Sequence, residues 1–192
     1  LALSYKIYLA FINLIKYEET TNIKKNWSSD YKVMKKNSFV LGIIGGSGIY
    51  DIDGFKDGKW IKIETPFGNP SDKIYVGTLN KIKVAFLPRH SRKHLYSPST
   101  VPYQANIYAL KSIGVTDVLS VSACGSLRED YRPGEMVLVD QFIDWTFSRK
   151  KTFFEGACVA HVSMAHPVCE RLRNMAKNAL VSLNIPYHEK GT

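Results

Sequence analysis

The sequence predicts an α/β protein whose central sheet is mixed, largely parallel and twisted, with helices flanking it. Strand-like apolar runs alternate along the chain with segments whose apolar residues recur at the helical period. The 192 residues are 45% hydrophobic, which suits the core of a single globular domain. Polar clusters follow the ends of several strand-like runs, and ligands of such sheets bind beyond the carboxyl ends of the strands.

The first predicted strand is Phe39–Ile44, whose continuous apolar character is typical of a strand buried on both faces. It ends in Gly45-Gly46-Ser47-Gly48, where the glycines allow a sharp turn and leave backbone N–H groups for an anion. Ser47 adds a hydroxyl to that turn. The spacing lacks the third glycine of a dinucleotide-binding fingerprint and the Lys-Ser/Thr ending of a P-loop. Taken alone, such a turn is also found at tight packing corners.

The later elements follow from hydrophobic periodicity and from the residues that end each run. In chain order they are a strand over 81–87, a helix over 103–113 closed by Gly114, a strand over 115–121, a strand over 135–142, a helix over 167–183 and the beginning of an extended segment at 187–192. Strand, helix and strand in this order favour parallel pairing in the centre of the sheet.

Polar groups also follow two of these later strands. Arg89 and His90 come just after 81–87, and a guanidinium fork can bind a phosphate through two hydrogen bonds. After 115–121, the turn Ser122–Ser126 supplies a hydroxyl, backbone N–H groups and small side chains that leave room for a flat base or sugar. Each group alone is also typical of an ordinary surface or strand corner. Three of them at one edge of a sheet indicate an anion site, most often for phosphate.

Composition excludes several classes of function. The formal net charge is +9, but the basic residues are scattered and form no stripe with aromatic residues, so no nucleic acid partner is expected. No run of 18 apolar residues occurs, so no membrane span is expected. Three cysteines, Cys124, Cys158 and Cys169, fit a reducing cytosol. His90 and His94 have the spacing of metal ligands but lack the glutamate of a zinc-binding helix, so no metal is expected.

The two ends of the chain differ from the middle. The chain begins at Leu1, and its first methionine, Met34, lies just before the first predicted strand. Residues 1–33 are therefore expected to be an upstream extension outside the domain; their apolar stretch is similar to a signal peptide but lacks a small-residue cleavage site. Residues 34–192 are expected to be the N-terminal portion of a single domain. We expect that domain to be incomplete, because a helix followed by a beginning strand is a mid-fold position.

Several motifs occur over residues 39–192 in the same order as in the trimeric purine nucleoside phosphorylases. The chain resembles the branch of that family that acts on S-methyl-5′-thioadenosine. The motifs are Gly42–Gly48, Thr65–Gly68, Pro70–Asp72, Arg89-His90, Val101–Asn106, Ser122–Arg128 and Asp140–Asp144. The form Ala-Cys-Gly-Ser-Leu-Arg favours that branch over the one that acts on inosine and guanosine. The implied fold is nucleoside phosphorylase-like.

The resemblance implies a pentosyltransferase of purine and methionine salvage. Inorganic phosphate would cleave methylthioadenosine to adenine and 5-methylthioribose 1-phosphate, with no metal or organic cofactor. The positions that match the family's phosphate-binding residues are Ser47, Arg89, His90, Ser122 and the backbone of Ala123. Phosphate is then a co-substrate that both attacks the ribosyl carbon and stabilises its developing positive charge.

The nucleoside side of the site is also implied by the resemblance. Cys124 and Gly125 would lie near the nucleoside, and His161 matches a histidine that reaches the 5′ side of the substrate in a neighbouring subunit. That contact implies a homotrimer with shared sites for the full-length form, which is expected to be cytoplasmic.

The family's residues that recognise and protonate the leaving base would follow Thr192, so the catalytic acid is unknown in this chain. We therefore expect this chain alone to turn over slowly or not at all, because general acid catalysis contributes roughly 10²–10⁴-fold. Two alternatives stay open. One is a purine nucleoside phosphorylase acting on 6-oxopurine nucleosides, and the other is a non-catalytic remnant that binds phosphate or nucleoside.

Overall fold

The structure is a computed structural model that describes residues 41–46, 52–154 and 158–192. The described residues fall into two compact units, divided in the chain between Ala123 and Cys124. The expected extension over 1–33, the first residues of the predicted first strand, and Ser47 with Gly48 lie outside the described residues. The assignment of 34–192 to a single domain stays a prediction.

The first unit is built on a mixed sheet, as the sequence predicts. Its elements are β1 (Leu41–Gly45), β2 (Phe55–Ile61), β3 (Ile74–Leu79), β4 (Ile82–Pro88), helix α1 (Tyr103–Ser112) and β5 (Asp117–Ser120). The five described strands lie in the order β2-β3-β4-β1-β5. Strands β4, β1 and β5 are parallel to one another, whereas β3 is antiparallel to both of its neighbours, β2 and β4. The α/β class and the mixed sheet are therefore confirmed.

The core of this unit lies where α1 packs on the sheet. All five residues of β1 are buried, as expected for a strand covered on both faces. Leu110 of α1 joins a buried cluster with Ile44 of β1 and Val115. Gly42 makes this close packing possible, because a Cβ atom at that position would lie only 2.9 Å from Val115 Cγ1. The helix ends as predicted at Gly114, whose φ is +92°.

Strands β2 and β3 are absent from the sequence prediction. Most of β2 is exposed, and its pairing with β3 shifts register between Lys56 and Lys59, so it lacks the alternation that marks a half-buried strand. Aromatic contacts hold it instead: the Trp60 and Tyr75 rings lie 4.8 Å apart. Strands β3 and β4 form a hairpin through Asn80 and Lys81, whose positive φ angles of 47° and 66° suit a two-residue turn.

The second unit contains β6 (Met136–Val137), α2 (Glu170–Ser182) and β7 (Tyr187–His188), with β6 and β7 parallel. The strand predicted over 135–142 is thus much shorter. Beyond β6 the pairing continues through two isolated hydrogen bonds, from the Leu138 N–H to the His188 carbonyl (2.9 Å) and from the Asp140 N–H to the Gly191 carbonyl (3.1 Å). Helix α2 begins three residues later than predicted, and it buries its apolar side through Met175, Ala179 and Leu180. No helix within the described ranges is long and apolar enough to cross a bilayer.

The packing of α1 on β1 predicts that Leu110→Ala destabilises the fold. Leu110 is 1% exposed, so its truncation leaves a cavity beside Gly42 and is expected to lower the free energy of unfolding by about 2–5 kcal/mol. Ile107→Ala is the matched control on the same helix, because Ile107 is 42% exposed, and its loss should be clearly smaller. Urea unfolding followed by circular dichroism measures both. Equal losses for the two variants would contradict this packing.

Candidate functional site

The candidate site lies at the edge of the first unit's sheet where three parallel strands end. Strand β1 runs between β4 and β5, and its last carbonyl groups hold both neighbours as they leave the sheet. The Arg89 N–H donates to the Gly45 carbonyl and the Val121 N–H donates to the Ile44 carbonyl, both at 2.9 Å. The segments after β1, β4 and β5 therefore begin at the same edge, as the sequence predicts.

Arg89 and His90 contact each other directly. Arg89 Nε–H donates to His90 Nε2 at 3.1 Å, and His90 Nδ1 lies 2.8 Å from the Tyr96 carbonyl oxygen. Since a carbonyl can only accept, Nδ1 carries the hydrogen and Nε2 presents its lone pair to Arg89. His90 thereby orients the guanidinium. Among the described residues, no carboxylate lies within ion-pair distance of the half-buried Arg89. Its positive charge suits an anionic ligand.

The loop before β3 supports the end of β4. Ser71 Oγ donates to the Pro88 carbonyl at 2.8 Å, and the Ser71 N–H donates to Asn106 Oδ1 of α1 at 2.8 Å. Ser71 and Asn106 are both buried, so these bonds satisfy groups that water does not reach. The motifs Pro70–Asp72 and Val101–Asn106, to which the sequence alone assigns no role, thus support the residue that precedes Arg89.

Asp72 makes the second contact from this loop. Its carboxylate accepts the Arg92 backbone N–H (2.8 Å) and both arms of the Arg92 guanidinium (3.0 and 2.9 Å). Burial acts to raise the pKa of Asp72, but the hydrogen bonds from the Arg92 side chain and backbone and from the Lys73 N–H lower it to about 2. The Arg92 guanidinium also lies 3.8 Å from the centre of the Trp60 ring. Neither Asp72 nor Arg92 was predicted as a site residue.

Ser122 and Ala123 follow β5, and both residues are exposed. Cys124, Gly125 and His161 belong to the second unit, where all three are exposed. Ser47 lies outside the described residues. The structure therefore brings Arg89 and His90 into contact and starts Ser122 from the same sheet edge. The binding roles of all the predicted site residues stay predictions.

The second unit has its own cluster of charged and aromatic side chains. His188 Nε2 lies 2.6 Å from Glu135 Oε2, and the imidazole stacks on the Tyr131 ring at 3.7 Å. The hydrogen bond from His188 lowers the pKa of Glu135. Arg128 binds Asp130 through two hydrogen bonds of 2.9 and 2.7 Å, and both side chains are exposed. This cluster joins β6 to β7. Within the described ranges, no group of three or more His, Cys, Asp or Glu side chains could hold a metal ion.

The sequence pattern of the phosphorylase superfamily matches residues 40–192. The chain is similar to two curated proteins named S-methyl-5′-thioadenosine phosphorylase. It is 57% identical to the protein of Cereibacter sphaeroides over 153 residues, which are 80% of this chain and 53% of the relative. It is 49% identical to that of Pyrococcus furiosus over 152 residues, 79% of this chain and 58% of the relative. The chain spans about half the length of these relatives.

Solved structures of methylthioadenosine phosphorylases are also similar to this chain. A methylthioadenosine phosphorylase from an Antarctic soil metagenomic library is 53% identical with a TM-score of 0.69, over 71% of this chain and 47% of that one. A methylthioadenosine phosphorylase from Schistosoma mansoni, solved in complex with adenine, is 37% identical with a TM-score of 0.74, over 80% of this chain and 63% of that one.

The Asp72–Arg92 pair predicts a pH dependence of stability. Because the pKa of Asp72 is lowered to about 2 by folding, the carboxylate stabilises the native state above its ordinary pKa of about 4 and loses this effect as the pH falls through 2. Asp72→Asn should therefore lower the free energy of unfolding by about 1 kcal/mol at pH 7, a value reduced for the solvent around Arg92, and by almost nothing near pH 2. Chemical unfolding at several pH values measures the difference.

Glu64→Gln is the matched control for this experiment, because Glu64 and its partner Lys62 are both exposed. It should leave stability nearly unchanged at every pH. A loss for Asp72→Asn that is the same at pH 7 and pH 2 would contradict the assigned role of the charge.

Proposed function

Since the chain belongs to the phosphorylase superfamily, we propose that the protein cleaves the N-glycosidic bond of a purine nucleoside with inorganic phosphate. The observation that carries the proposal is Arg89, a guanidinium oriented by His90 at the edge where β1, β4 and β5 end. A planar cation without a carboxylate partner among the described residues suits a phosphate dianion. Ser47, Ser122 and the backbone of Ala123 complete the proposed phosphate site.

The proposed nucleoside is S-methyl-5′-thioadenosine. The names of the relatives, at 57% and 49% identity, support this choice. Phosphate held by Arg89 attacks the ribosyl carbon as the bond to adenine breaks, and the products are adenine and 5-methylthioribose 1-phosphate. As positive charge develops on the ribosyl ring, the adjacent phosphate stabilises it. Phosphate is a co-substrate in this scheme, and the proposal includes no organic cofactor or metal.

The nucleoside is proposed to contact Cys124 and Gly125, with His161 reaching its 5′ side from a neighbouring subunit of a homotrimer. Large apolar side chains of the second unit are exposed, with Trp145 at 91% and Phe147 at 94%, which supports association with further copies of the chain. All three cysteines are free and exposed, which supports a reducing compartment such as the cytoplasm.

Phosphorolysis predicts that adenine release depends on phosphate. With methylthioadenosine as substrate, the slow adenine release expected of this chain should occur in phosphate buffer and not in a phosphate-free buffer, and Arg89→Ala should lower its rate by about 10²–10³-fold. Absorbance or chromatography of the released base measures both. Lys93→Ala is the matched control, since Lys93 is an exposed cation four residues further along the same loop, and it should keep the wild-type rate.

The alternatives give different results in the same assay. Faster phosphate-dependent release from inosine than from methylthioadenosine would favour the branch that acts on 6-oxopurine nucleosides. Binding of phosphate without any product would favour a non-catalytic protein. Equal release with and without phosphate would contradict phosphorolysis.

The homotrimer proposed for the full-length protein predicts a sedimenting mass three times that of its subunit. Trp145→Ser should shift the protein towards monomers, because it removes a large exposed apolar group, while leaving the circular dichroism of the subunit unchanged. Sedimentation equilibrium at several concentrations measures the mass. A monomer at every concentration would contradict this assembly.

A further inference from the structure

We propose that Ser71 and Asp72, two consecutive residues of the loop before β3, act as positioning residues that fix Arg89 and His90 from both sides. The inference rests on the proposed function, because it concerns how the proposed phosphate-binding cation is held. Neither residue is itself assigned a contact with phosphate or nucleoside.

Ser71 fixes the chain on the side before Arg89. Its hydroxyl donates to the carbonyl of Pro88, the residue that precedes Arg89, and its N–H is held by Asn106 of α1. Ser71 is 5% exposed and Asn106 is 2% exposed, so breaking these two hydrogen bonds leaves buried polar groups without partners. The peptide that leads into Arg89 is thereby tied to the helix as well as to β1.

Asp72 fixes the chain on the side after His90. Its carboxylate holds both the backbone N–H and the guanidinium of Arg92. The guanidinium in turn packs over Trp60 of β2, so the loop is tied to the far end of the sheet. Since the side chain of Asp72 is only 11% exposed, solvent competes little for these bonds.

The backbone between these two anchors is in a conformation that needs support. Ser91 is buried and has a φ of +67°, in the left-handed region that a residue with a side chain rarely adopts. Its N–H donates to the Pro88 carbonyl at 3.1 Å, and its hydroxyl lies 3.4 Å from Asp72 Oδ2. Such a residue persists only where its surroundings hold it. Ser71 and Asp72 supply that hold, and with it the direction in which Arg89 leaves the sheet.

Arg92 has a second effect in this arrangement. It neutralises the carboxylate of Asp72, which faces the same loop as Arg89 and would otherwise repel an approaching anion. The charge of Arg89 stays available for the ligand, whereas that of Arg92 is paired with Asp72. Two arginines three residues apart therefore have separate tasks.

The test measures inorganic phosphate binding by titration calorimetry with the whole chain and four variants. Asp72→Asn should weaken phosphate binding about tenfold, the lower end of what residues that support the ligands of metal sites contribute. Arg92→Lys keeps the charge but loses the fork, and should weaken binding in the same direction by less. Arg89→Ala should abolish binding, and Glu64→Gln, the control that breaks the exposed Lys62–Glu64 pair, should leave it unchanged.

A spectroscopic readout separates positioning from a general loss of stability. The ¹H–¹⁵N signal of the Arg89 Nε–H reports its bond to His90, and it should shift in Asp72→Asn at a temperature where circular dichroism shows a fully folded chain. If Asp72→Asn does not fold, Arg92→Lys gives the same two readouts.

The outcomes distinguish the two proposals. Wild-type phosphate affinity and an unshifted Arg89 signal in a folded Asp72→Asn or Arg92→Lys variant would overturn the positioning role. Phosphate binding that survives Arg89→Ala would instead overturn the proposed phosphate site, whatever Asp72 does.

Discussion

The burial of β1 is the constraint on which the first unit depends. Every residue of this strand is buried, and the strand is hydrogen-bonded in parallel on both sides, to β4 and to β5. A slip of one residue would place a side chain where Gly42 packs closely against Val115, so the register is strongly determined. That register decides which residues of β4 and β5 leave the sheet beside Gly45. The positions of Arg89 and Ser122 are therefore consequences of core packing.

Around this edge the chain is supported unevenly. The segment after β4 is held by a buried hydrogen bond from Ser71, whose own N–H donates to Asn106, and by the Asp72 carboxylate. The segment after β5 is exposed, with Ser122 and Ala123 open to solvent. A rigid cation beside an open backbone suits a small anion that enters from solvent and is oriented by the guanidinium. The segment after β4, which carries the charge of Arg89, is therefore also the more firmly held of the two.

The sequence was most informative where one local signal decided the structure. The continuous apolar run of β1 and the glycine that ends α1 were both predictable, and so was the common edge of the strand ends. Strand β2 was not, because its pairing depends on Trp60 meeting a ring from β3 and not on its own periodicity. The contact between Asp72 and Arg92 was not predictable either, because it too depends on a partner from another part of the chain. Twenty positions separate them, and only the β3–β4 hairpin brings them together.

The adjacency of Ser71 and Asp72 limits how this segment can change in length. One inserted residue between them would displace one of the two side chains, because Ser71 is held at the Pro88 carbonyl and Asp72 at Arg92. Either the Pro88 carbonyl or the Arg92 fork would then lose its partner. The exposed residues of β2, which already accommodate a register shift, carry no such restriction. Insertions and deletions in related chains should accordingly accumulate in β2 and its flanks and spare the two residues at 71 and 72.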